Sequence, residues 1–207
     1  MEDTRDRILE AASTLLRRSG PEGLTVEAAA DLAGVSRKTV YNHFDGRNSL
    51  VEGAASAWTG RILQSLQEIA GDPKLPFVSK LNAIVDHAYT ELNNAPGLLW
   101  GKHRVAGLEA IGLRRELRTA FMVFIQGIVR DALAEGLVRR DFDERRLTFA
   151  IINVLSGLTV LDGLEDEPFG SIDILKDSLR AFVGGILTPA GAEAMRGSPL
   201  FGQEATS

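Results

Sequence analysis

The chain has 207 residues, of which 44% are hydrophobic and 25% charged, with a formal net charge of −5. That is enough apolar material for one or two globular domains with a real core, and the acidic balance excludes a protein coated in positive charge, so any nucleic-acid contact has to come from a local patch. The absence of cysteine excludes disulfides, thiolate catalysis and cysteine-ligated metal.

The N-terminal "MEDTRDRILEAASTLL" carries acids where a secretory leader carries a basic region. The most apolar run, Phe149 to Leu161, is interrupted by Asn153, Ser156 and Thr159 and falls short of the roughly 20 residues a membrane-spanning helix needs. A cytoplasmic protein is expected.

Apolar residues recur at three and four throughout, and period-two alternation is absent, so the expectation is all-α with about nine helices. Ile8, Ala12, Leu15 and Leu16 make one face of a first helix, with Thr4 as its expected cap and Gly20 as its end. Thr25 caps a short second helix, "VEAAADLA", that stops at Gly34. A third runs from Ser36 to about His43, and a fourth from about Gly46 through Trp58, Ile62, Leu66 and Ile69 until "GDPKLP" breaks it. Phe77, Leu81, Ile84, Val85, Ala88 and Leu92 line a fifth, with His87 on its polar side, and a less regular sixth is expected around Leu98 to Ala110. Leu117, Phe121, Phe124, Ile125, Ile128 and Ala132 line a seventh that closes at Gly136. Asp143 caps an eighth, with Phe142 and Leu147 at staple spacing, and Ser171 caps a ninth carrying Ile172, Leu175, Leu179, Phe182, Val183 and Ile186. The expected domains are a head at 1–46, a connecting helix at 47–71, a helical body at 72–188 and a flexible tail at 189–207, rich in glycine and proline.

The chemistry concentrates in "GVSRKTVYNHFDGRNSL", Gly34 to Leu50. With Ser36 as N-cap and about 100° per residue, Val40 and Phe44 fall together on the side that must be buried. Lys38 and Asn42 then point outward, flanked by Thr39 and Tyr41. Lysine and arginine reach phosphates or guanine edges, asparagine pairs bidentately with adenine, and threonine, tyrosine and histidine hydrogen-bond phosphate oxygens. Two short helices joined across Gly34 form a helix-turn-helix whose second member enters the major groove. Residues 1–58 hold seven basic side chains against nine acids, a net of −2, whereas 37–47 holds Arg37, Lys38 and Arg47 against Asp45 alone, a net of +2. So modest a patch needs a second copy to bind tightly, which points to a dimer.

From Thr4 to Trp58 the sequence resembles the DNA-binding head of the tetracycline-repressor (TetR) family, on "TRDRILEAASTLL", on Thr25 opening the second helix, and on Val35, Ser36, Thr39, Val40, Tyr41, His43, Phe44 and Arg47. The resemblance implies a DNA-binding regulator, most simply a repressor released from a palindromic operator by a small-molecule effector. By that similarity Thr39, Tyr41, His43 and Arg47 hold phosphates, with help from Thr25 and the cap residue Ser36, while Arg37, Lys38 and Asn42 stand where members read bases. Two positions depart from the pattern: Lys38, where a small residue or proline is common, and Glu27, an acid where some relatives place a basic contact.

The eighth helix is apolar nearly all round, which fits either a monomer's central helix or an interface. The resemblance favours a symmetric four-helix interface, with Ile151, Leu155, Leu158, Leu179, Phe182 and Ile186 as candidates. It also implies a ligand chamber, for which Trp100, His103, Phe121, Phe124, Phe149 and Asn153 are candidates, although each aromatic fits plain core as well. The partners expected are duplex DNA, a second copy and an unidentified effector. A transcriptional activator and an effector-independent regulator remain alternatives. An enzyme is a remote one: neither His87 nor His103 has an acid three residues before it, Glu165–Asp166–Glu167 reads as a turn, and no glycine-rich phosphate loop is present. No metal and no cofactor are expected.

Overall fold

The computed structural model describes residues 3–95, 115–157, 167–198 and 200. Among these the chain forms nine helices: α1 (Thr4–Gly23), α2 (Val26–Ala33), α3 (Arg37–His43), α4 (Arg47–Gly71), α5 (Phe77–Asn93), α6 (Arg115–Ala134), α7 (Glu144–Gly157), α8 (Ser171–Ile186) and α9 (Pro189–Ala194). The one β-type pairing among the described residues is an isolated bridge between Val138 and Leu187. No helix among them is long and apolar enough to cross a membrane. The sixth helix expected around 98–110, with Trp100 and His103, lies outside the described residues, as does Leu158.

The described residues form two compact units, divided within α4 between Leu63 and Gln64. The first contains α1–α3, the N-terminal two-thirds of α4, the end of α5 from Glu91 and the start of α6 through Arg118. Its core is built from Ile8, Leu9, Ala12 and Leu16 of α1, Val26, Ala29, Ala30 and Ala33 of α2, Val40 and Phe44 of the third-helix segment, and Leu50, Ala54 and Ala55 of α4. The many alanines let short helices approach closely. Buried in the same unit, the Ser13 hydroxyl donates to the Ala54 carbonyl at 3.1 Å, tying α1 to α4. Asp3, rather than Thr4, caps α1, its carboxylate accepting from the Arg5 amide at 3.2 Å. The regular helix breaks at Gly20, and Pro21 opens one further turn that ends at Leu24.

The second unit centres on Val129, Ala132, Val138, Leu147 and Ile186, with Phe77, Ile125, Phe142, Ile151 and Phe182 packed around them. Asp143 caps α7 as expected, accepting from the Arg146 amide at 2.9 Å. Gly170 occupies the cap position of α8, one residue before the expected Ser171, and its amide donates to the Asp173 carboxylate at 2.8 Å.

The stretch expected to be a flexible tail is ordered through Ser198. Thr188 caps α9 by accepting from the Gly191 amide at 3.0 Å, and Pro189 sits in its first turn, where a missing N–H costs nothing. Met195 is 1% exposed, and the buried Ser198 hydroxyl donates to Asn82 at 2.6 Å. The glycines and prolines that suggested disorder are helix-start and turn residues here.

Candidate nucleic-acid interface

The turn between α2 and α3 fixes the geometry of the site. Gly34 adopts φ 65° and ψ 40°, the left-handed conformation that glycine reaches without a Cβ penalty. Its amide donates to Asp31 and the Val35 amide to Ala30, closing the last turn of α2. Arg7 reaches across from α1 and donates to the Ala33 carbonyl at 2.6 Å, placing a cation at the negative end of the α2 dipole. That contact was not legible in the sequence, where Arg7 is one of several basic residues on α1.

Ser36 then caps α3. Its oxygen accepts from the Thr39 amide at 3.1 Å and shares a 2.9 Å hydrogen bond with the Thr39 hydroxyl. Thr25 does the same for α2, accepting from Ala28 at 3.1 Å. Both hydroxyls keep lone-pair or proton capacity for a phosphate while serving as caps.

α3 is seven residues long, too short to persist alone. It is held from beneath by Val40, 0% exposed, and by Phe44 at its end, 4% exposed, over whose ring the Arg5 guanidinium lies 5.4 Å away. Everything else on the helix faces outward: Arg37, Lys38, Asn42 and His43 are exposed, Thr39 half-exposed, and Tyr41 56% exposed. A rigid helix that buries two apolar residues and presents two cations, an amide, an imidazole and a phenol together has the inventory that duplex recognition uses.

Glu27 on α2 pairs with Arg37 at 3.3 Å. The acid that departs from the pattern of the resemblance thus engages the first side chain of α3, and both groups stay largely exposed. Arg47, expected to hold phosphate, points its fork at the protein backbone: Nε donates to the Leu24 carbonyl at 2.9 Å and an Nη group to the Pro21 carbonyl.

The ligand and interface candidates are less concentrated. Phe124 is buried and Phe121 half-buried on α6. Phe149, 49% exposed, and Asn153 share the outer face of α7, opposite the buried Leu147 and the half-buried Ile151. They do not join Phe124 in the interior of the second unit. Of the interface candidates, Ile186 is buried in the core of the second unit and Ile151 and Phe182 pack against that core, while Leu155 and Leu179 are half-buried. An open hollow of about 320 Å³ lies on the head, lined by Arg7, Glu10, Ala11, Thr14, Leu32 and Ala33, none of them an expected ligand residue. Among the described residues no group of three or more histidines or acids is placed to hold a metal.

A family model described as bacterial regulatory proteins of the tetR family matches residues 8–54, from the second turn of α1 into the first turns of α4. Over 144 residues the chain is 27% identical to the HTH-type transcriptional repressor KstR2 of Rhodococcus jostii, covering 67% of this chain and 70% of that protein. It is 23% identical over 193 residues to the HTH-type transcriptional regulator UidR of Escherichia coli, covering 89% and 93% respectively. SmeT, the repressor of the Stenotrophomonas maltophilia multidrug efflux pump SmeDEF, shares the fold with a TM-score of 0.64 at 17% identity, over 92% of this chain and 93% of that one.

Proposed function

We propose that the chain is a DNA-binding transcriptional regulator of the TetR family, acting as a homodimeric repressor whose two α3 helices enter successive major grooves of a palindromic operator. The observation that carries this reading is the two-sidedness of α3: Val40 and Phe44 are sealed into the head while Arg37, Lys38, Tyr41, Asn42 and His43 all face out. Tyr41, His43, Thr39 and the cap hydroxyls of Ser36 and Thr25 hold phosphates and set register. Arg37, Lys38 and Asn42 read base edges.

Dimerisation follows from the need for two heads on one site. The outer face of α7 supports it: beyond the charged first turn of Glu144, Arg145 and Arg146, a half-exposed phenylalanine one turn from an exposed asparagine, with mostly apolar residues between them, is a surface that a second copy covers well. Repression is relieved by a small molecule held in the body. Such an effector releases DNA only by binding the non-DNA conformation more tightly, by the same free energy through which DNA disfavours the effector.

Selection of binding sites from a random duplex pool, run with wild type and with Tyr41→Ala, tests the reading. A shared palindrome that the variant fails to enrich supports it. Equal enrichment by both proteins, or none by either, overturns it.

A further inference from the structure

Arg47 is the first residue of α4, and both its sequence pattern and its charge invite a phosphate. The structure gives it other work. Its Nε–H donates to Leu24 and an Nη–H to Pro21, two carbonyls of the single turn that joins α1 to α2. The Leu24 amide donates to that same Pro21 carbonyl at 3.2 Å, and the Leu24 side chain is fully buried, so the turn receiving the fork is itself fixed. A planar guanidinium bonded to two carbonyls has its orientation determined, which a lysine ammonium cannot reproduce.

The position of this contact matters more than its strength. Farther along, α4 is fastened to α1 by the Ser13–Ala54 hydrogen bond and by burial of Leu50, Ala54 and Ala55. The same apolar core reaches the α2–α3 pair, with the Phe44 ring packed against α4 at Gly53, but none of these contacts is a directional bond between α4 and that pair. On one side the connection between α3 and α4 is Phe44–Asp45–Gly46, three non-helical residues ending in a glycine at φ 119°. On the other it is the Pro21–Leu24 turn that leads into Thr25, the cap of α2. Arg47 bridges the start of α4 to that second connection, and it does so with directional bonds, whereas the apolar contacts beneath are non-directional.

We propose that Arg47 is a positioning residue, a clamp that holds the α2–α3 pair at one angle on α4 and thereby sets the half-site spacing the dimer accepts. Resting on the dimeric DNA-binding reading above, the clamp assigns that reading's geometric selectivity to a residue that needs no contact with DNA. A head free to pivot on α4 reads the same half-site sequence but tolerates more than one separation between half-sites, because spacing is a geometric property of the pair of heads.

The test uses full-length wild type, Arg47→Lys and Arg47→Ala on the selected operator and on versions with the spacer lengthened or shortened by one base pair, each across a range of salt concentrations. Both variants are expected to lose about tenfold of the wild-type preference for native spacing, the factor that one charge-assisted hydrogen bond corresponds to. Half-site preference and the dependence of log K on log salt should stay as in wild type. A phosphate contact gives a different result: Arg47→Lys binds like wild type, Arg47→Ala lowers the salt slope by about two, one for each head, and spacing preference survives in both; that outcome overturns the clamp. The free protein supplies a reading independent of DNA. Its Arg47 Nε proton should exchange slowly with solvent and keep its resonance when operator is added. Rapid exchange in the free protein overturns the clamp even if the operator is bound as proposed, while a protected proton in a protein that selects no palindrome leaves the clamp intact and sinks the dimeric reading instead.

Discussion

Replacing the two neighbours Val40 and Tyr41, one at a time, separates the two faces of α3. Val40 is 0% exposed and sits where α1, α2 and α3 meet. Val40→Ala removes two methyl groups from a close-packed site and leaves a cavity that short, mutually braced helices cannot easily collapse. The cost is about 2–3 kcal/mol, which for a chain of this size lowers Tm by roughly 4–12 °C. Its side chain faces away from the DNA-binding surface, so at temperatures well below the transition, where nearly all molecules remain folded, operator affinity should change less than about threefold. Tyr41 is 56% exposed and has little to lose on truncation, within about 0.5 kcal/mol of stability. Tyr41→Ala does remove a phosphate hydrogen bond from each head, about 1–1.5 kcal/mol apiece, so a dimer should lose about 30- to 150-fold in operator affinity. Scanning calorimetry and a binding titration on each variant read the two effects independently. If Val40→Ala melts like wild type, or if Tyr41→Ala lowers Tm more than Val40→Ala does, α3 does not lie with the face described here toward the core, and the assignment of its outward residues goes with it.

Other positions give separable outcomes. Asn42→Ala should change the sequence preference at one base of each half-site, read by repeating the selection, whereas an equal loss on all sequences would make Asn42 a backbone contact. Glu27→Gln frees Arg37 and removes an acid facing DNA; non-specific binding should strengthen modestly, by less than about fivefold for so exposed a pair, while discrimination at the base Arg37 reads should fall, and unchanged selectivity would show that the pair does not steer Arg37. Phe149→Glu places a charge on the outer face of α7 and should convert the dimer to monomer in sedimentation; an intact dimer would move the interface off that face. Tyr89 is buried, its hydroxyl has no hydrogen-bond partner among the described residues, and burial raises its pKa above the usual 10.0 despite the opposing pull of Arg180. The unfolded chain therefore ionises first, so this tyrosine's contribution to stability is fully present below pH 10 and declines as pH rises from there through the higher folded value. Tyr89→Phe should abolish that alkaline decline and cost nothing at neutral pH, as denaturant titrations at both pH values would check; a loss above about 1 kcal/mol would mean the hydroxyl has a partner.

How much of this was legible in the sequence depended on how far each determinant reaches along the chain. Caps are local, and Thr25, Ser36 and Asp143 stand where their residue types and the following apolar run put them. Where two capping-competent residues are adjacent, composition does not choose between them, so Asp3 rather than Thr4 and Gly170 rather than Ser171 take the cap positions. The buried side of α3 was legible because a helix of seven residues with one apolar side chain, followed at its end by a phenylalanine four residues on, has only one way to turn. The bonds that brace it were not: Arg7 finds Ala33, and Arg47 finds Leu24 and Pro21, across 23 to 26 residues, and the acceptors are backbone carbonyls that every residue owns.

The body shows the same limit in a sharper form. Beyond its charged first turn α7 reads as apolar nearly all round, and such a stretch has no sequence mark for which side meets the core of its own chain. The structure assigns Leu147 and Ile151 to the inner side and leaves Phe149 and Asn153 outside. That division changes the meaning of Asn153. An amide buried in a ligand chamber must be satisfied by the ligand or a neighbour, whereas an amide on an outward apolar face can remain solvated in the monomer and pair with its counterpart across a two-fold axis. Asn153→Leu distinguishes the two. On a dimer interface it adds apolar area where an amide stood, and by removing the polar group from that face it should also admit pairings in more than one register, as loss of a single buried asparagine does between coiled helices. The variant should therefore remain associated but sediment as a broader mixture of species, with effector response intact wherever discrete dimers persist. A variant that stays a homogeneous dimer and loses its effector response would place Asn153 in the chamber, and α7 would then have to turn its outer face toward ligand.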